Sequence, residues 1–370
     1  MEHNLLTLDF WQDSVTYEGT TMPTGTLGCE VLNISDSTIE KLTDLCMPLN
    51  SFMGTLRTPK PNLSLLPTAK DSAIEIINLL SDVPPFSRLD HDFYSKWIEE
   101  TFVPESVQEC LMSSMAMLSG GLTPEQQEQY KCGLRLARLL PVFANLGYSL
   151  GEYKKTMTDF AVKMDAPSSD RSPDGLAELF GQQFPPELSF TNDGAWMAVT
   201  NTSMQYISVV RPGYDVPMLV KRMHFVTFVG MLRTDLFEGL CVGHAPKKCP
   251  ICGRWFLTTN ARHTKYCGNP APGDKLGRTC RQLGNLKGRE QRELADDHPI
   301  KMIYERRLNT INRYIKRGTL DASLAKAMKK LAKDKMLRAL SDSRYAKGSY
   351  ETEMKQENLI EEIKKSGGKR

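Results

Sequence analysis

The sequence predicts a mostly helical α+β protein in which a small, treble-clef-like four-cysteine module is followed by a basic helical hairpin. Three observations carry this expectation. Apolar residues recur at three- and four-residue steps along several stretches. Four cysteines, Cys249, Cys252, Cys267 and Cys280, crowd into 32 residues. Charge is shared unevenly: residues 241–370 hold 30 Lys and Arg against 14 Asp and Glu, a net +16, while residues 1–240 carry −13. The composition, 40% hydrophobic and 25% charged over 370 residues, excludes a wholly disordered, collagen-like or fibrous chain. That length predicts two or three domains with a proper core.

Residues 1–65 read as short strands and loops, broken by Gly25, Gly28, Pro59 and Pro61. A helix capped at Asp71-Ser72 and running through Ile74, Ile77 and Leu80 follows, and Val83-Pro84 stops it because a residue before proline avoids the helical region. Pro104-Glu105 opens a second helix that ends at Gly120-Gly121. Thr123-Pro124-Glu125-Gln126 combines an N-cap, a proline at the first helical position and a capping-box glutamine, and predicts a helix to about Leu140, ended or kinked by Pro141. Residues 165–187 form a turn-rich stretch with a short helix over Gly175–Phe180. Ala195–Thr200 and Met204–Val210, rich in β-branched and aromatic residues, predict a hairpin, and Pro217 to about Gly239 predicts one long buried helix. The segments expected are an acidic, mainly helical region over 1–165, a hairpin plus long helix over 166–240, the cysteine module over 241–290, the basic hairpin over 291–345 and a mobile tail over 346–370.

The cysteine spacing is Cys-x2-Cys-x14-Cys-x12-Cys. Structural zinc takes four thiolate or imidazole ligands in a closed tetrahedron, and a Cys-x2-Cys turn followed by glycine, here Cys252-Gly253, aims two thiolates at one point. Trp255–Thr258 then suits a strand, Thr259-Asn260 a turn, and Lys265-Tyr266 a return strand delivering Cys267. Cys280 falls where a helix begins, so its thiolate sits at the positive end of a dipole. The expected site is therefore one structural zinc on Cys249, Cys252, Cys267 and Cys280. His263 is read as a polar strand residue, and Cys241 with His244 as core packing and a helix cap. A catalytic zinc needs an open position and a general base. Four thiolates leave no such position, and His-Glu-x-x-His and His-x-Glu patterns are absent from the sequence. No catalytic residue is assigned, and a binding role is expected over an enzymatic one.

At these residues the chain resembles the CGNR-type bacterial zinc fingers and, more closely, an uncharacterised bacterial family of unknown function. The features carrying the resemblance are a helix over Leu219–Gly239, the Cys249/Cys252 knuckle, Trp255-Phe256, Tyr266-Cys267 and Thr279-Cys280-Arg281, extending to about Leu340. The resemblance implies a zinc-binding module and no established activity. The Cys-Gly-Asn-Arg string itself is replaced here by Cys267-Gly268-Asn269-Pro270.

Beyond the module, Ile300 or Ile303, then Tyr304, Leu308, Ile311 and Ile315 mark one helix, stopped by Gly318. Asp321 caps a second, with Leu324, Met328, Leu331, Leu337 and Leu340 inward and Lys326, Lys329, Lys330, Lys333 and Lys335 outward. Arg254, Arg262, Lys265, Arg278 and Arg281 are candidate contacts to nucleic-acid phosphates. Trp255, Phe256 and Tyr266 either stack on bases or pack a small core beneath the knuckle. The expected partners are DNA or RNA, an acidic protein, or the chain's own acidic N-terminal region. The alternative is a scaffold protein in which zinc serves only the fold. With no signal peptide or membrane span read from the sequence, the expected setting is cytoplasmic, without a membrane partner.

Overall fold

The computed structural model describes residues 6–58, 60–118, 121–166, 169–184, 202–210, 214–259, 264–292 and 298–367. The fold is α+β and mostly helical, as expected. It divides into two compact units. One comprises Met1–Met164, Arg171–Lys248 and Gly253–Thr264; the other comprises Asp165–Asp170, Cys249–Cys252 and Lys265–Arg370. No helix among the described residues is long and apolar enough to cross a membrane.

The first unit is built on an antiparallel sheet of five strands: β1 (Thr7–Trp11), β2 (Ser14–Tyr17), β3 (Thr20–Pro23), β4 (Thr202–Val210) and β5 (Pro217–Phe225), in the order β3-β2-β1-β5-β4. Since β1 pairs with β5, residues read as separate segments, 1–165 and 166–240, share one sheet and one core. Leu8, Phe10, Val15, Tyr17, Met223 and Phe225 bury one side of it. Each such side chain contributes on the order of 1.5–3 kcal/mol on burial.

The stretch expected as one helix from Pro217 to Gly239 is instead β5 followed by the helix Phe228–Cys241. Period two wins over Met223–Phe225: Met223 and Phe225 go in, while Arg222 turns to Asp9 of β1 through two hydrogen bonds of 2.7 Å and His224 lies 3.0 Å from Thr7 Oγ1. Thr227, extended, accepts from Gly230 N at 3.0 Å and starts the helix there. The hairpin is thus β4–β5; the expected partner strand over 195–200 lies outside the described residues.

Other elements also depart from expectation. Residues 1–65 hold three strands but also a 20-residue helix, Asp36–Thr55, capped by Ser35 and burying Leu42, Cys46, Leu49 and Phe52 despite Pro48. The helix expected from Asp71 starts at Leu66. The helix expected from Pro124 to Leu140 is broken at Tyr130, and its second part, Lys131–Ala144, contains Pro141. There Gly133 is pressed against the helix Pro104–Leu118, where an added Cβ would lie 2.3 Å from Cys110 N. The short helix near 175 runs over Pro173–Gln183, capped by Ser172.

One interaction shows how this unit closes. Asp235, fully buried in the Phe228–Cys241 helix, accepts from Gly25 N at 2.8 Å and Gly28 N at 3.1 Å. Burial pushes its carboxyl up to about 7, although the backbone amides of Gly25, Gly28 and Leu27 pull the other way.

The second unit has its own core. The helices Pro299–Lys316 and Ala322–Ser341 pack around Ile311, Ala325, Met328, Ala332 and Met336. Gly318, at φ 68°, and Asp321, accepting from Ser323 N at 2.8 Å and Leu324 N at 3.2 Å, form the turn where the sequence placed it. The tail expected to be mobile over 346–370 is helical over Tyr350–Glu353 and Gln356–Gly367, and Tyr350, Met354 and Leu359 are buried in this core. Its few apolar residues sit among many charges, which hides their spacing. Lys335, expected to face out, is buried and paired with Glu353 at 2.6 Å and Glu362 at 2.8 Å.

Candidate metal centre

Six residues, Cys249–Arg254, connect β6 (Ala245–Lys248) to β7 (Trp255–Thr258). The strand Trp255–Thr258 is where the sequence placed it, but its partner is β6, upstream of the knuckle, and Lys265-Tyr266 is not a strand. Thr258 Oγ1 donates to Ala245 O at 2.8 Å across this pair. Asn33 fixes β7 by donating to Trp255 O at 2.9 Å and accepting from Trp255 N at 2.7 Å. Trp255 is buried in the core of the first unit. It packs there and presents no stacking face. Gly253, at φ 73°, supplies the left-handed backbone that the knuckle turn needs.

Downstream, Cys267 leads into a loop closed by the Pro270–Thr279 bridge and the Ala271 N to Arg278 O bond of 2.9 Å. Asp274 holds this loop. It accepts from Arg278 N at 2.7 Å and from the Arg278 guanidinium at 2.6 Å, and those bonds keep its carboxyl below the usual range. Thr279 then caps the helix Cys280–Arg292 in a reciprocal pair: Gln282 N donates to Thr279 Oγ1 at 3.2 Å and Thr279 N donates to Gln282 Oε1 at 2.8 Å. Cys280 is the first residue of that helix, as expected.

These elements gather the sulfurs of Cys249, Cys252, Cys267 and Cys280 within 4.8 Å of one another, and Cys252 Sγ lies 3.6 Å from Cys267 Sγ. A tetrahedron of zinc–sulfur bonds of about 2.3 Å has edges of about 3.8 Å, so the four side chains fit a single ion. Cys249, Cys267 and Cys280 are buried and Cys252 is half-buried. Burial works to raise the Cys249 thiol, but amide bonds from Cys252, Cys267 and Ile251 outweigh it and bring it down to about 7. Burial and the neighbouring sulfurs push Cys280 well up. The surroundings thus favour the Cys249 thiolate and oppose those of Cys267 and Cys280. A bound dication would favour the thiolate form of the sulfurs around it.

The sequence residues divide as follows. All four cysteines come together. Arg254, Lys265 and Arg281 are exposed or half-exposed, Arg278 is engaged by Asp274, and Arg262, like His263, lies outside the described residues. His244 is buried and its Nδ1 lies 2.8 Å from Thr24 O, whereas Cys241 is exposed and so is not part of the core. Sequence reading passed over Gly284. On the Cys280–Arg292 helix it lies against the Tyr266 ring so closely that a Cβ would fall 2.4 Å from two ring carbons. Its place four residues after Cys280, facing the aromatic before Cys267, was the available signal.

Fold and site together define a mostly helical α+β protein with four clustered cysteines that could hold a metal ion. Residues 197–366, just under half of the chain, match a family of unknown function, DUF6076. The match begins before the residues that carried the resemblance and runs past Leu340 through the C-terminal helices. No curated protein and no solved structure matches the chain.

Proposed function

We propose that the ion is zinc, that its role is structural, and that the protein binds nucleic acid or regulates through its basic C-terminal third. The convergence of four thiols on one point carries the metal reading. Thiolate-only sites favour zinc among common divalent ions, and four thiolates leave no position for substrate or water. The net +16 of residues 241–370, with Lys265 and Arg281 beside the module, supports a polyanionic partner. Metal analysis of the purified chain should give about one zinc per molecule. Titration of labelled DNA and RNA against salt should give a log–log slope of roughly −5 if about six phosphates are neutralised. A flat slope, or no binding at low salt, rejects the nucleic-acid role.

A second reading is a protein-interaction scaffold in which zinc only stabilises the fold. It is favoured by the β4–β5 ribbon, where Tyr206 is 63% and Leu219 67% exposed and β4 is an uncharged sheet edge. Deleting residues 285–370 separates the two. A scaffold that assembles through the ribbon keeps its assembly state, one that assembles through the basic tail changes it, and the nucleic-acid reading expects lost binding.

A further inference from the structure

Between the helices Pro299–Lys316 and Ala322–Ser341 lies a groove of about 560 Å³ lined by Asn309, Asn312, Arg313, Ile315, Lys316 and Lys329. Three of the six are cations, two are carboxamides, and none is an acid. Asn309, Asn312, Arg313 and Lys316 follow helical spacing, so they share one face. Among the described residues, the side chains of Arg313, Lys316 and Lys329 have no ion-pair or hydrogen-bond partner. Two other cations of the same helices do meet acids: Lys335 meets Glu353 and Glu362, and Lys301 lies 4.0 Å from Glu305.

The lack of acid is written into the sequence. No Asp or Glu occurs between Glu305 and Asp321, or between Asp321 and Asp334. Asp321, the one acid between these runs, is turned to its own helix, accepting from Ser323 N and Leu324 N. Like charges placed together with no counter-ion repel one another, and an anion that enters removes that cost. The face from Asn309 to Lys316 extends about 10 Å at a rise of about 1.5 Å per residue. That length spans on the order of three phosphates of one nucleic-acid strand. The two carboxamides add donors for phosphate or sugar oxygens without adding charge.

We propose that this groove is a seat for the phosphodiester backbone of a nucleic acid, with Arg313, Lys316 and Lys329 contacting phosphates and Asn309 and Asn312 orienting the strand. The assignment rests on the nucleic-acid reading above and names the surface that performs it, separate from the arginines of the cysteine module.

The test uses the full-length, metal-loaded protein and labelled 20-nucleotide single-stranded and duplex probes over a range of salt. The variant Arg313→Gln/Lys316→Gln/Lys329→Gln removes three charges at sites where glutamine keeps good helix propensity. The control Lys347→Gln/Lys355→Gln/Lys364→Gln removes three from exposed positions elsewhere in the unit. The groove variant should bind at least about tenfold more weakly at low salt, with a duplex slope shallower by about 2–3, since each phosphate contact contributes about 0.9. The control should keep the parent slope to within about one unit. If the parent binds and the groove variant retains its slope, or if both variants lose it equally, the groove assignment is overturned while nucleic-acid binding stands. If the parent binds neither probe, the functional reading fails and takes the groove with it.

Discussion

Replacing Gly284 with alanine tests whether the module is assembled as described. The new Cβ would lie 2.4 Å from Tyr266 Cδ2 and Cε2 and 2.5 Å from Cζ. Carbon atoms in contact prefer about 3.5–4.0 Å, so the ring or the helix must give by more than about 1 Å. Overpacking of this kind costs about 1–3 kcal/mol. Against it stands the helix preference of alanine over glycine, about 0.5–1 kcal/mol. The clash wins, with a net loss of about 1 kcal/mol. Tyr266 adjoins Cys267, so a displaced ring also drags a ligand, and the module should release its metal faster to a chromogenic chelator. The control is the same change in a Tyr266→Ala background. With the ring gone, Gly284→Ala should stabilise by about 0.5–1 kcal/mol, so the substitution changes sign between backgrounds. Urea denaturation and metal-release rates on the four proteins read the cycle. If Gly284→Ala stabilises in both backgrounds, the ring is not seated against this helix and the geometry of the module is wrong.

Three further outcomes are expected. Cys252→Ser should abolish stoichiometric metal and, because structural zinc supplies on the order of 10–16 kcal/mol, should strip hydrogen-exchange protection from the Cys280 amide that now bonds Asn269 O at 2.9 Å; retained protection would show that the loop folds without an ion. Glu353 is raised by burial, but Lys335 and Tyr345 more than offset this and hold it at about 2 against an ordinary 4.5, so its contribution is complete above about pH 4.5 and is lost as pH falls toward 2. Acid unfolding followed by tyrosine near-ultraviolet circular dichroism should lose that portion of its pH dependence in Glu353→Gln, and an unchanged acid limb would contradict the pairing. Asn33→Ala removes both bonds to the backbone of Trp255 and should cost about 1–3 kcal/mol in urea denaturation; a neutral effect would mean that β7 is held by its strand partner alone.

Much of the metal centre was legible because its chemistry is local in sequence. A Cys-x2-Cys turn with glycine specifies its geometry within one turn of chain. The partner of Trp255–Thr258 was not legible. Part of what holds β7 comes from Asn33, more than 200 residues away, which bonds the Trp255 backbone. The same limit explains Pro217–Phe225. Its apolar content suits a buried helix or a strand, and the deciding contacts, Asp9 with Arg222 and Thr7 with His224, come from the other end of the chain. In the tail, Lys335 looked solvated because its acids arrive from Glu353 and Glu362, on helices that a reading of composition treated as fraying.

The charge of the module bears on how the basic third should be divided. A dication held by four thiolates would carry a formal charge of −2, so some of the surrounding cations would serve to balance the site itself. Lys265, two residues before Cys267, and Arg281, next to Cys280, would fall naturally into that role, and Arg278 is already held by Asp274. The unpaired cations of the helical hairpin have no such anion to balance, since their groove has no acid in its lining. On the proposed function, phosphate contacts would therefore fall first to Arg313, Lys316 and Lys329, and the cations beside the cysteines would chiefly balance a bound ion's site. On this division, Lys265→Gln/Arg281→Gln should weaken metal retention more than it alters the salt dependence of nucleic-acid binding, the reverse of the groove variant. A Lys265→Gln/Arg281→Gln protein that keeps its metal but loses the salt slope would move the binding surface back to the module.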